Sequence, residues 1–200
     1  MSTFPIEFEG AEMPSTPNVA MALCTLANSL GVADEAAAVN ALEMAASLAG
    51  ADAALFVWVT PEGDGHFWFR SLAALDHRWS TSVLRRLHEG PCNWLAHAAR
   101  SSDPLVVRAP GEDEIATEGS SGRDTGPRSC WLIPAPSPQN SDALGLLVLS
   151  GGVEHEPGAA QPLLPIYRAL ALALSEWFQR RARDELIAEA HLTERDLDLL

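Results

Sequence analysis

Two short apolar runs, Arg128-Ser-Cys-Trp-Leu-Ile-Pro134 and Leu144-Gly-Leu-Leu-Val-Leu-Ser150, constrain this 200-residue chain more than any other feature. Both are rich in residues that suit pleated, half-buried backbone, and both are bounded by Pro, Gly, Ser and Asn, as buried strands are. The stretch between them, from Ala135 to Asp142, is turn chemistry throughout. The pair predicts an antiparallel hairpin in the middle of a sheet. It holds no catalytic motif, which points to a sensor or binding domain rather than an enzyme.

The chain is long enough for one domain with a sizeable core, and its 47% apolar content excludes disorder as a general description. Thirteen basic against 27 acidic side chains give a net charge of −14. Such a surface repels nucleic acid, whose phosphates are held chiefly by Lys and Arg. The one basic cluster, Arg180, Arg181 and Arg183, is interleaved with Asp184 and Glu185. Cys24, Cys92 and Cys130 are widely spaced and form no Cys-x-x-Cys, so they read as buried thiols of a reducing compartment. The N-terminus lacks the basic start and apolar core of a signal peptide, and no apolar run reaches the length of a bilayer span. A cytoplasmic location without membrane contact is expected.

Residues 1–16 show no sustained period and read as a flexible arm. Apolar residues then recur at helical spacing from Asn18 to Leu30, closed by Gly31, and a second helix is expected from Asp34 to Leu48, closed by Gly50. Ala54 to Val59 and His66 to Leu72 read as strands joined by a turn over Pro61 to Gly65. Helices follow from Asp76 to His88 and from Cys92 to Arg100, broken by Gly90-Pro91. Pro104 to Ala109 is a short strand, and Pro110 to Pro127 an acidic surface loop. After the central hairpin and a further loop, Gln161 to His191 makes one long helix. Strands clustered between helical segments give an α+β class, a central antiparallel sheet flanked by helices.

The central hairpin also carries a family likeness. Gly126-Pro-Arg-Ser-Cys-Trp-Leu-Ile-Pro134 followed by Leu144-Gly-Leu-Leu-Val-Leu149 resembles the paired strands of GAF-type sensor domains. More closely it resembles the autoinducer-binding half of LuxR-type transcription regulators, where Arg-Ser-Gly, an apolar triplet and Pro precede a Gly-Leu-Leu-like strand. Asp76-His-Arg-Trp79 is similar to the segment that sets that family's Trp over its pocket. His191-Leu-Thr-Glu-Arg-Asp-Leu-Asp-Leu-Leu200 is similar to the opening of the LuxR-type helix-turn-helix. The resemblance implies a GAF/PAS-like α-β-α sandwich over residues 17–190, a helix-turn-helix begun at 191–200 and cut short, and DNA contact only through that missing module.

Departures from the family pattern bear on the ligand. Acyl-homoserine-lactone receptors place a Tyr one turn after the Trp, then an Asp-Pro whose carboxylate reads the ligand amide. Here the turn after Trp79 brings Val83, and the Asp-Pro neighbourhood falls on Gly90-Pro91 or Cys92-Asn93. The glycine after Arg-Ser is Cys130. Only Trp79 of the polar reading set is retained, so ordinary lactones are expected to bind poorly.

The candidate ligand-lining residues are Trp79, Val83, Trp58, Trp68, Trp94, Cys130 and Trp131; Trp79 reads equally as core, and the other four tryptophans read more readily as core or interface than as site. No catalytic residue is expected, because Ser129 and Ser150 lack a Gly-x-Ser-x-Gly elbow. No metal site or cofactor is expected either, since the six histidines are scattered. The expected function is non-enzymatic sensing, of the quorum kind, of a small apolar or amphiphilic signal. The domain would act as a homodimer, paired partly through the long helix, whose apolar residues spread around more than one face. The rival reading is a ligand-free scaffold for dimerisation or partner binding.

Overall fold

The computed structural model describes residues 34–63, 66–89, 93–108, 129–136, 143–151 and 163–190, together with 21, 24 and 25, which are helical. The expected arm, most of the first helix, the 110–127 loop and the 191–200 tail lie outside the described residues. In chain order the elements are α1 (Glu35–Ala49), β1 (Ala53–Gly63), β2 (His66–Leu75), α2 (His77–Glu89), α3 (Asn93–Ala98), β3 (Leu105–Arg108), β4 (Ser129–Pro136), β5 (Leu144–Gly151) and α4 (Leu164–Ala190).

Local chemistry sets several of these boundaries. Asp34 caps α1, its carboxylate accepting from the Ala37 amide at 2.9 Å. At the other end Gly50 takes the left-handed conformation (φ 63°), its N–H donating to Ser47, while the Ala51 N–H donates to Ala46. That pair of bonds is a Schellman stop, so Gly50 ends the helix as its position predicts. β1 runs on through Pro61–Gly63 with a register shift there, leaving only Asp64 and Gly65 between the strands instead of the longer turn expected.

The five strands form one antiparallel sheet in the order β2-β1-β5-β4-β3. The predicted hairpin is β4–β5, and β5 is the central strand, fully buried from Gly145 to Gly151. Alternation along each strand sends its residues to two separate cores. On one face Ala54, Phe56, Trp58, Ile133, Leu147 and Leu149 pack under α1 and α4. On the other, Leu55, Val57, Leu132, Leu146 and Val148 pack under α2 and α3. This is the sandwich the sequence implied.

α4 spans 27 residues, about 40 Å. Its apolar side chains are consumed within the chain: Tyr167, Leu170, Ala171, Leu174, Trp177 and Phe178 are all buried against the sheet and α1. Leu172 and Leu186 are the large apolar residues it exposes. Beyond Phe178 the helix is tied by charge. Glu185 meets Arg70 of β2 at 2.6 Å and Arg181 at 3.5 Å, and Arg181 meets Glu35 of α1 at 3.2 Å. Arg181 also lies 5.2 Å from the Trp177 ring centroid. Arg181, although exposed, is thus engaged within the chain.

Tyr167 is fully buried, packs edge-on to Trp131 at 6.0 Å, and its hydroxyl has no partner among the described residues. Burial pushes its pKa up from 10.0 to about 12. The folded state therefore holds this proton more tightly than the unfolded chain does. Its contribution to stability is whole below pH 10 and is lost as pH rises through about 12. Tyr167→Phe is expected to remove that alkaline loss, and to be neutral or stabilising at neutral pH, because a buried hydroxyl without a partner disappears. Urea titrations at neutral pH and near the upper end of that window check both outcomes.

Candidate functional site

The face under α2 and α3 is where the retained tryptophan lies. Leu75, the last residue of β2, sits at φ 69°, a left-handed conformation uncommon for a side chain with a Cβ. Asp76 follows as the cap of α2: its carboxylate accepts from the Arg78 amide at 3.1 Å and the Trp79 amide at 3.0 Å. The turn and the cap together fix the first turn of α2. Trp79, Val83 and Leu87, spaced by four, then point inward as one stripe. The Ser80 hydroxyl donates to the Asp76 carbonyl at 3.1 Å and so is satisfied within the helix.

α3 adds Trp94 and Ala98 to the same core. Its far end is held by His97, whose Nε2 lies 2.7 Å from the Asp103 carbonyl, and by Arg168 of α4, which donates to the Ser102 carbonyl at 3.0 Å. The floor is supplied by β1, β5 and β4, with register carrying one row across the strands: Cys130 pairs with Ser150, Ser150 with Ala53, and Ala53 with Leu75. The surroundings are apolar. Among the described residues the buried polar side chains are Ser80, Ser150 and Ser175, and no carboxylate is among them.

Two polar atoms in this core are unaccounted for. The indole nitrogen of Trp79 (6% exposed) and the hydroxyl of Ser150 (0% exposed) are buried with no hydrogen-bond partner among the described residues. A buried donor left unpaired costs about 1–3 kcal/mol, so such atoms ordinarily have a protein, water or ligand partner.

The structure divides the seven candidate residues. Trp79, Val83, Trp94 and Cys130 come together on the α2–α3 face. Trp58 and Trp131 do not join them: they project to the opposite face, where Trp58 stacks on Phe178 at 6.1 Å and Trp131 meets Tyr167. Trp68 is 61% exposed on the edge strand β2, beside the exposed Phe67. The period of two along a strand is the reason. Cys130 and Trp131 are neighbours on β4 and cannot face one pocket, and Trp58 lies between Val57 and Val59, which face α2. Ser150 was not foreseen as a lining residue, although its even spacing from Leu146 and Val148 puts it on their face.

Among the described residues no group of three or more His, Cys, Asp or Glu could hold a metal ion, and no helix is long and apolar enough to cross a membrane.

No curated protein matches the chain in sequence. Among solved structures, the fold is shared with the N-acylhomoserine lactone dependent LuxR family transcriptional factor CepR2 of Burkholderia cenocepacia (TM-score 0.60, 14% identity, covering 82% of this chain and 98% of that one). It is shared also with SdiA in complex with octanoyl-rac-glycerol (TM-score 0.53, 12% identity, 86% and 69%). Escherichia coli SdiA in a second crystal structure gives a TM-score of 0.50 at 12% identity, covering 82% of this chain and 67% of that one. The family model for the GAF domain matches residues 35–178, the whole span from α1 through the sheet to the Trp177–Phe178 pair of α4, and the chain belongs to the GAF domain family.

Proposed function

We propose that this domain senses a small, uncharged amphiphile held between the sheet and α2–α3, as part of a LuxR-type regulator. One observation carries the reading: the Trp79 indole nitrogen is buried in an apolar core, positioned by the Asp76 cap, and lacks a partner among the described residues. An indole N–H is a donor only, so the group that satisfies it is an acceptor, such as an ester or ketone carbonyl. Two of the proteins that share the fold are an acylhomoserine lactone dependent factor and a protein complexed with octanoyl-rac-glycerol. The core here favours the second kind of molecule, since Val83 is apolar and fully buried and, among the described residues, no buried carboxylate stands ready to accept from a ligand amide.

On the output side, the same proposal has the signal leave along α4 toward a DNA-reading module and a second copy of the chain. The resemblance of residues 191–200 to a helix-turn-helix opening supports the module, and the exposed Leu172 and Leu186, four turns apart on α4, support the pairing.

Calorimetric titration with octanoyl-rac-glycerol tests the proposal. Binding is expected, with Trp79→Phe weakening it by about 2- to 12-fold, the worth of one hydrogen bond of about 0.5–1.5 kcal/mol. Octanoyl-homoserine lactone is expected to bind more weakly than the glyceride. Equal binding by the wild type and Trp79→Phe would remove the indole from the site. A protein that binds neither compound supports the ligand-free scaffold, which the tight packing of Val83, Leu87 and Trp94 under the sheet otherwise favours.

A further inference from the structure

The buried hydroxyl of Ser150 stands outside the expected site set, and it lies at the same end of the α2–α3 core as Trp79. Ser150 is opposite Ala53 on β1, and Ala53 is opposite Leu75 on β2, one residue before the Asp76 cap. Two strand spacings, about 10 Å, therefore separate the Ser150 backbone from the point where α2 begins. Long side chains on a helix lean toward its N-terminus, which brings the Trp79 indole back over this row. Both orphan polar atoms then belong to one end of an otherwise apolar core, with Leu55, Leu132, Leu146 and Val148 packed beyond them.

We infer that Ser150 is a second ligand-reading residue, and that the ligand carries two uncharged polar groups at one end: a carbonyl for the Trp79 N–H and a hydroxyl or second carbonyl for the Ser150 hydroxyl. This inference rests on the ligand-sensing reading above and narrows its chemical class. A fatty-acid carboxylate does not fit, because no cation is among the buried described residues to offset its charge. A simple alkyl ester fits only half of the site, satisfying Trp79 and leaving Ser150 unpaired. A polyol ester satisfies both. A serine hydroxyl both donates and accepts, so it tolerates either partner, whereas the indole selects an acceptor.

The test compares octanoyl-rac-glycerol, methyl octanoate and octanoate on the intact chain and on two variants, Ser150→Ala and Trp79→Phe. Ser150→Ala is expected to weaken the glyceride by about three- to ten-fold and to leave methyl octanoate unchanged. Trp79→Phe is expected to weaken both esters, and octanoate should not compete. Thermal melting separates this role from a structural one. With no ligand, Ser150→Ala should melt at or above the wild-type temperature, because it removes a buried hydroxyl that has no partner. A lower melting temperature would assign the hydroxyl a protein partner and overturn the inference. Glyceride binding that falls with Trp79→Phe but not with Ser150→Ala overturns it as well, while leaving the ligand-sensing reading intact. Failure of both esters to bind overturns the two together.

Discussion

Phe178→Ala should cost the domain about 3–5 kcal/mol, the largest single loss expected from any side chain named here. Phe178 is 5% exposed and stacks on Phe56 at 5.8 Å and Trp58 at 6.1 Å, with Trp177 edge-on at 4.9 Å. Its removal leaves a cavity bounded by rigid rings from β1 and α4 that have little freedom to collapse inward. Cavity and lost transfer energy then add. Against a total stability of roughly 5–15 kcal/mol, that loss brings the protein close to its unfolding threshold. At about 2–4 °C per kcal/mol for a domain of this size, the melting temperature should fall by roughly 10 °C. Chemical denaturation of wild type and variant measures the difference directly. A loss below about 1.5 kcal/mol would mean that the ring cluster repacks around the gap.

Gly145→Val acts in the opposite way, by adding volume where none is available. Gly145 lies on the central strand β5 between Trp58 and Ala135. A Cβ there would approach the Ala135 carbonyl oxygen and the Phe56 Cζ at 2.9 Å each, with the Ser175 hydroxyl at 3.2 Å. The carbonyl is sheet backbone, and the Phe56 ring is already held by Phe178, so neither neighbour yields cheaply. Overpacking of this kind costs about 1–3 kcal/mol, and valine, with two further methyl groups, belongs at or above the upper end. Gly145→Ala should be milder but of the same sign. Equilibrium unfolding of both variants checks the order; a valine variant as stable as wild type would show that β5 can shift away from β4.

These two positions explain how much of the fold could be read from residues alone. The hairpin around the pair Trp131 and Leu149 was legible because its apolar runs are short and its turn chemistry dense. So were the helix stop at Gly50, the interruption between the helices ending at Glu89 and beginning at Asn93, and the long C-terminal helix. What composition did not reveal was the division of the aromatic residues between two cores. A run such as Phe56-Val57-Trp58-Val59 is apolar at every position, so periodicity does not say which half faces α2 and which faces α4. The face is settled only by pairing and by which helices close over it.

The same ambiguity bears on α4. Its adjacent apolar residues Trp177 and Phe178 suggested a second chain as the extra partner. In the fold Phe178 fills the core between β1 and α4, while Trp177 packs beside it with Arg181 over its ring. The site was legible in part. The Asp76-to-Trp79 segment marked α2 and its inward tryptophan, and Cys130 lies on the same face as Trp79. Adjacent Cys130 and Trp131 could have been separated by strand alternation alone, and Ser150 could have been added by the same rule. Trp68 needed the strand order, because nothing in its own neighbourhood says that β2 is an edge.

The central claim, that a ligand is held on the α2–α3 face and read by the Trp79 indole, is tested most directly by indole N–H resonances. Five of the six tryptophans divide between the two cores, with Trp79 and Trp94 under α2–α3 and Trp58, Trp131 and Trp177 on the α1–α4 side, while Trp68 is exposed. Titration of ¹⁵N-labelled protein with octanoyl-rac-glycerol should move the Trp79 indole resonance most, with a downfield proton shift as its N–H gains an acceptor. Trp94 should follow by a smaller amount, while Trp58, Trp131 and Trp177 hold their positions. A titration that moves the Trp58 and Trp131 resonances and leaves Trp79 in place would contradict the account.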